Sequence, residues 1–171
     1  MAKGQLLLAQ FRFTLRMTMF QDVKTPDTVV DDEVMNDGFF PNVSIADFQR
    51  ECRIPPEYNP SQQRNMIISA IAGINIELVS FRQRSMSQGY QQMADIGPRI
   101  GGQSAHVSSY LQAVHHRAKA SLLVHFATLE RRKEAESLGK EGRETHTSLM
   151  ALSQMAVRNI LGMTVASVKL L

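Results

Sequence analysis

The chain has a single cysteine, Cys52, no tryptophan, and only 6% aromatic residues. One cysteine excludes an internal disulfide framework and suits a reducing compartment. Its spacing from Ile45 and Phe48 places it on their helical face, so Cys52 reads as a small buried hydrophobe and not as a reactive thiol. Scarce aromatics beside ten methionines favour helix over sheet, because straight side chains lose little rotamer freedom in a helix. A bilayer span needs about 20 consecutive apolar residues. The best stretch, residues 67–79, is interrupted by Asn75 and Glu77, so no membrane partner is expected. Charge of one sign is not concentrated either: the net charge is +3 with scattered cations, which does not by itself indicate a nucleic-acid surface.

Signatures of chemistry are also missing. His115 and His116 are neighbours and point about 100° apart on a helix, while His106 and His125 fall outside the spacings of three or four that would align a pair. No Glu or Cys completes a ligand set with them. There is no Gly-x-Ser-x-Gly elbow, and Gly97 and Gly101-Gly102 lack the spacing and trailing Lys-Ser/Thr of a phosphate-binding loop. The carboxylates gather in an extended arm and in a charged segment, neither of which holds an acid and a base in fixed relation. A non-enzyme with no cofactor and no metal is therefore expected.

What is present is enough apolar sequence, 43% of 171 residues, for one helical domain. Residues 21–37 carry Asp22, Asp27, Asp31, Asp32, Glu33 and Asp37 and few large apolar groups, so an acidic extended arm is expected there. Gly38-Phe39-Phe40-Pro41 follows, and adjacent rings must point different ways. Phe39, Phe40 and Pro41 are read as an anchor fastening the arm to the core. Ser44 is a side-chain cap for a short first helix running to about Arg53, stopped by Pro55 and Pro56.

Asn59-Pro60 opens a second helix. There Ile67, Ile71, Ile74, Leu78 and Phe81 recur at spacings of four and three, with Gln62, Gln63, Arg64 and Asn65 as polar positions, and Gly89 as the stop. Asp95, Gly97, Pro98 and the Gly101-Gly102 pair mark a loop, and Ser104 is placed to cap a third helix. Its stripe of Val107, Leu111, Val114, Ala118, Leu122, Phe126 and Leu129 is expected to pack lengthwise on the second helix as an antiparallel hairpin. Residues 130–144 alternate in sign around Gly139 and Gly142 and read as a solvated helix end and loop. A fourth helix begins at about Thr147 with a stripe of Leu149, Leu152, Met155, Ala156 and Ile160, and Gly162 ends it.

The expected organisation is thus all-α: a small antiparallel helical bundle over residues 38–162, an N-terminal arm over 1–37 and an extended tail over 163–171. Met17 and Met19 offer alternative starts, which leaves residues 1–16 open as an over-extended start. The opening residues lack the unbroken apolar core and cleavage site of a signal peptide. In the tail, Val165, Val168, Leu170 and Leu171 have no helical stripe to join. They are read as an arm that docks on another subunit, with a strand folded back on the domain as the alternative. Arg82, Arg84 and Arg117, with Arg99 and Lys119, could meet phosphate but lack the clustering of a dedicated reader.

Several blocks, in order, resemble the head completion or head stabilisation L proteins of temperate, contractile-tailed phages. They are Asn36-Asp37-Gly38-Phe39-Phe40-Pro41-Asn42-Val43-Ser44 with Asp47-Phe48-Gln49-Arg50; Ala70, Ile74, Asn75, Glu77, Leu78, Arg82 and Gln83; Gly89-Tyr90, Met93-Ala94-Asp95-Ile96, Tyr110, Ala113-Val114, Ala118, Ala120 and Leu122; and Ile160-Leu161-Gly162 with Val168. The resemblance covers residues 36–171. Departures are Phe40, where the family often has Trp, the charged segment 130–145, and residues 1–35. The resemblance implies a helical adaptor of the virion neck, assembled in the host cytoplasm. It would form a homo-oligomeric ring of twelve copies on the portal protein after DNA packaging, stabilise the filled capsid, and offer a docking surface to the neck or tail completion protein. Its contact with packaged DNA would be weak and non-specific, through a channel wall to which Arg82, Arg84 and Arg117 would contribute. A small DNA-binding packaging factor associated with terminase is the alternative function.

Overall fold

The computed structural model describes residues 32–54, 58–127 and 145–163. Its first element is a two-residue strand, β1 (Glu33–Val34), paired antiparallel with β2 (Val43–Ser44) so that Val34 lies opposite Val43. Both valines are buried. Residues 32–37, which the charge pattern assigned to the arm, are therefore part of the packed domain. A ladder pairing and one inward valine outweigh the acidic composition that made the segment read as extended.

The first helix, α1 (Ile45–Cys52), starts where Ser44 Oγ accepts the Asp47 N–H at 3.1 Å, as its sequence position suggested. It ends on Arg53 in the left-handed conformation (φ 49°), ahead of the proline pair. Next comes α2 (Pro60–Glu77), capped by the Asn59 side chain, which accepts the Ser61 N–H at 2.8 Å, with proline in the first turn where its missing donor costs nothing.

The second helix does not run on to Gly89. Leu78 adopts φ −95° and ψ 7°, outside the helical basin, and the chain bends by 61° into α3 (Val79–Ser87). No proline or glycine marks the break, Leu78 at the break is itself buried, and so are Ile74 and Phe81 on either side of it. The apolar period therefore continues through a bend it cannot reveal. Gln63 also departs from its expected polar surface: it is buried, donating to the Tyr58 carbonyl at 2.8 Å and accepting from Gln49 Nε2 at 3.0 Å.

A 3-10 turn (Met93–Asp95) and the hairpin β3 (Arg99–Ile100) with β4 (Gln103–Ser104) lead into the long helix α4 (Ala105–Ala127). Gly97 is required here, because at φ +79° a Cβ would lie 2.3 Å from His106 Nδ1. Helices α2 and α4 run antiparallel, since Gln62 meets His125 at one end and Asn75 meets Tyr110 at the other. The last helix, α5 (His146–Leu161), opens with a reciprocal cap between Thr145 and Ser148 and closes on Gly162 at φ 68°.

Helix α4 is the centre of the domain, in contact with both α2 and α5. Against α5 it sets Ala113 beside Ser153, and with Ala156 buried on the same helix such small side chains allow a close approach of the two axes. The buried Ser153 hydroxyl is satisfied by the Ala113 carbonyl at 2.8 Å. Against α2, Ile67, Ile74 and Leu78 are fully buried, each contributing roughly 1.5–3 kcal/mol of transfer free energy. The molecule is all-α in class, with five α-helices and two two-stranded ladders among the described residues.

Candidate assembly surfaces

The turn after β1 is tied to the helices by polar groups that close on themselves. Tyr110 Oη donates to Asn75 Oδ1 at 2.6 Å, Asn75 Nδ2 donates to Asn36 Oδ1 at 2.9 Å, and Asn36 Nδ2 donates back to Tyr110 Oη at 2.8 Å. Asn36 has further partners: its amide nitrogen also donates to the Pro41 carbonyl, its side-chain oxygen accepts the Asp37 N–H, and its own N–H donates to Asn42 Oδ1, each at 2.9 Å. Each member both gives and receives, so the burial of these polar atoms is compensated. Burial pushes the Tyr110 hydroxyl above its ordinary pKa, with the Asn36 hydrogen bond opposing and the nearby Asp37 charge adding.

Phe39 and Phe40 flank this cluster, both buried, with their rings 5.1 Å apart and nearly perpendicular. Phe40 stacks on Tyr110 at 5.0 Å, and Phe39 meets Phe81 edge-on at 6.4 Å. Pro41 is half-buried and contributes its carbonyl to Asn36. The Phe39 carbonyl accepts the Met93 N–H at 2.9 Å, tying the 3-10 turn to the same segment.

Of the three arginines singled out in the sequence, Arg82 pairs with Asp37 at 2.9 Å and Arg117 with Glu77 at 2.6 Å. The Arg117 side chain is only 13% exposed. Arg84 is exposed and donates to the Ser80 carbonyl of its own helix at 3.3 Å. His115 is buried between α4 and α1, where burial lowers its pKa and Glu51 partly opposes the shift. The neutral ring donates from Nδ1 to Glu51 Oε2 at 2.9 Å, leaving Nε2 buried without a partner. Phe48 packs beside it at 5.6 Å, and the Cys52 thiol points at the His115 carbonyl at 3.8 Å. Among the described residues, no three or more His, Cys, Asp or Glu side chains gather in a group that could hold a metal ion.

Two outer faces are apolar and uncovered. On α2 and α3, Ile68, Ile76, Val79 and Met86 are exposed, Ile76 by 73%. On α5, Leu152 and Met155 are exposed, Met155 by 51%, and Met163 just past the helix end is exposed as well. The sequence stripe had turned Leu152 and Met155 inward. Ser153 and Val157 occupy the buried positions instead, because close packing on α4 takes the small side chains and rotates the bulkier ones out. Among the described residues, no single helix is long and apolar enough to cross a membrane; α2 and α3 reach that length only together, across their bend.

Val165, Val168, Leu170 and Leu171 lie outside the described residues, as do the arm before residue 32 and the charged segment. Sequence reasoning missed the closed triad of Asn36, Asn75 and Tyr110. Its signal was Asn75 directly after Ile74 of the buried stripe, and a tyrosine one helical turn past Val107. It also missed the outer faces, whose signal was apolar residues off the stripe at positions 68, 76 and 79.

A family described as phage head completion protein (GPL) matches residues 34–171, a span that opens on β1. The chain belongs to the phage head completion protein family. Within that family it is 27% identical over 142 residues to a probable head completion/stabilization protein of Haemophilus phage HP1, covering 82% of this chain and 93% of that protein. It is 30% identical over 122 residues to the head completion/stabilization protein of Escherichia phage P2, covering 68% of this chain and 72% of that one. No solved structure matches. Family membership makes the chain a phage head protein, and the resemblance built on Asn36, Phe39, Asn75 and Tyr110 agrees with it.

Proposed function

We propose that this chain is a structural, non-enzymatic virion protein that adds to the portal after DNA packaging, forms a ring of twelve copies there, and stabilises the filled capsid. The ring extends the DNA channel and presents a surface to the neck or tail completion protein. The family match over residues 34–171 carries this reading. Physical support comes from a small rigid domain with uncovered apolar faces, since repeated subunits in a heterologous contact close a ring when the rotation permits.

In this reading the tail, with Val165, Val168, Leu170 and Leu171, grips the portal, and multivalency multiplies a weak contact per copy. Phe39, Phe40 and Pro41 fasten the segment that precedes them to the domain. The protein assembles in the host cytoplasm and ends in the neck of the virion. A channel wall must let a polyanion slide, so tight phosphate binding would be a defect. The ion pairs of Arg82 and Arg117 suit such a wall, leaving Arg84 as the most exposed of the three. The same pairs weigh against a DNA-binding packaging factor, whose affinity would fall steeply with salt.

The direct test mixes the purified full chain with portal-bearing, DNA-filled heads and images the product. Added density in a ring at the portal, reduced genome leakage, and loss of both on deletion of residues 164–171 are the expected results. Normal head stability after that deletion overturns the role of the tail. Failure of the full chain to join the portal vertex overturns the function.

A further inference from the structure

We infer that neighbouring copies of this chain meet head to tail, the outer face of α2 and α3 on one copy seated against the outer face of α5 on the next. The inference rests on the ring reading above and names the surfaces that build it.

Helices α2 and α4 both carry apolar residues on more than one face. A helix of that kind is normally covered all round. Helix α4 is covered on most of its length inside one molecule, because α2 packs on one flank and α5 on another, and only Val124 near its end is an exposed large apolar residue among its described side chains. Helix α2 is not so covered. Ile67, Ala70, Ile71 and Ile74 face the core, yet Ile68, Ala72 and Ile76 face outward, and the exposed apolar line continues on α3 through Val79 and Met86. The only charged residues of α2 are Arg64 and Glu77, paired with Asp32 and Arg117. An ordinary solvated helix face carries charges at these positions.

Helix α5 has the matching defect. Ala151, Leu152 and Met155 are exposed, Met163 past the helix end is exposed too, and Arg158 is the one Lys, Arg, Asp or Glu in the helix. Depletion of charge with enrichment of methionine and large aliphatics is the composition of an interface centre. At the helical rise per residue, Ile68 to Ile76 runs roughly 12 Å along α2 and Val79 to Met86 roughly 10 Å along α3. From their fractional exposures, Ile68, Ile76, Val79 and Met86 offer on the order of 400 Å² of apolar surface, close to the non-polar share of the ~800 Å² that each partner gives a standard interface. The half-exposed Glu77 carboxylate on one face and Arg158 on the other supply opposite charges at the rim.

A second copy is the occupant that accounts for both faces at once. The two faces lie on different helices flanking α4, so a single repeated contact covers one of each in every copy and needs no two-fold axis.

The test uses the full chain with portal-bearing heads. Ile76→Glu and Met155→Lys each place a charge in the contact without a partner, and the double variant pairs them across it. Each single variant is expected to stay folded by thermal melting and to lower ring occupancy roughly tenfold or more, with the double variant recovering most of it. Ile76→Cys with Met155→Cys, in a Cys52→Ala background, should give a ladder of cross-linked oligomers with a bismaleimide, through bonds between position 76 and position 155. Wild-type rings with unaffected single variants, or links only between identical positions, overturn the assignment of faces while the ring reading stands. Rings that form normally in the variants but no longer accept tails give these faces to the tail, and also overturn it. Wild-type protein that joins heads without forming a ring defeats the ring reading itself.

Discussion

The turn around Asn36 and the outer side of α2 hold residues of similar apolar character and have opposite fates. In the turn, Phe39 and Phe40 are buried, and every polar side chain of the triad beneath them both donates and accepts. On the outer side of α2, Ile76 is 73% exposed. The first region is complete within one molecule, and its residues hold the fold. The second is complete only in company, and substitutions there should leave the fold alone. Stability and assembly are therefore predicted to separate by position.

The comparison is broken hardest at Phe40. Truncation to alanine removes the ring stacked on Tyr110 and set against Phe39, and a large-to-small change at such a site costs about 3–5 kcal/mol. Urea denaturation of Phe40→Ala should show that loss, and a midpoint within error of wild type would mean that the turn is not part of the cooperative core. Tyr110→Phe keeps the ring but deletes the hydroxyl. Asn75 Oδ1 then loses its donor and Asn36 Nδ2 one acceptor, and an unsatisfied buried group costs about 1–3 kcal/mol. An Asn75→Ala variant made in the same background should cost less than in wild type, since the cycle is already open.

One group on the inner side is unfinished, and it gives the next effect. Burial lowers the His115 pKa below its unfolded value, with Glu51 and Asp47 pulling the other way. The unfolded chain therefore takes up a proton that the folded chain resists. This contribution to stability is complete above the unfolded value of 6.5, and is lost as pH falls from there toward the lowered folded value. Denaturation midpoints of the wild type should decline across that window, and His115→Asn should flatten the decline whatever its effect at neutral pH. An equal slope in both proteins would move the pH dependence to other groups.

Periodicity made the inner side largely legible before the fold was known. The stripes through Ile67, Ile74, Leu78, Val114 and Ala118 are buried as their spacing requires, and the caps at Ser44, Asn59 and Gly162 follow from local chemistry. What escaped was set by partners distant in sequence. The bend at Leu78 leaves the apolar period intact, and β1 is held by a strand that begins ten residues after it does. The rotation of α5 follows from how closely Ser153 and Ala156 allow it to approach Ala113, a fact of α4 and not of α5. On the outer side the resemblance supplied a function, and the surfaces that would serve it became visible only once the buried positions were subtracted.

The smallest stability effect belongs to the outer side, and its smallness is the point. Replacing Ile76 by serine removes a side chain that is mostly in water in the single molecule, so almost no apolar area returns to solvent on mutation. Leu152 and Met155 make the same argument on α5. Surface changes away from caps and ion pairs usually fall within about 0.5 kcal/mol in either direction, and Ile76→Ser, Leu152→Ser and Met155→Ser should each do so in urea denaturation of the dilute protein. A loss several times larger would show that the face is already covered in solution, by another copy or by a part of the chain beyond the described residues. Repeating the measurement over a hundredfold range of protein concentration separates these, because cover by a second copy makes the midpoint rise with concentration and cover from within the chain does not.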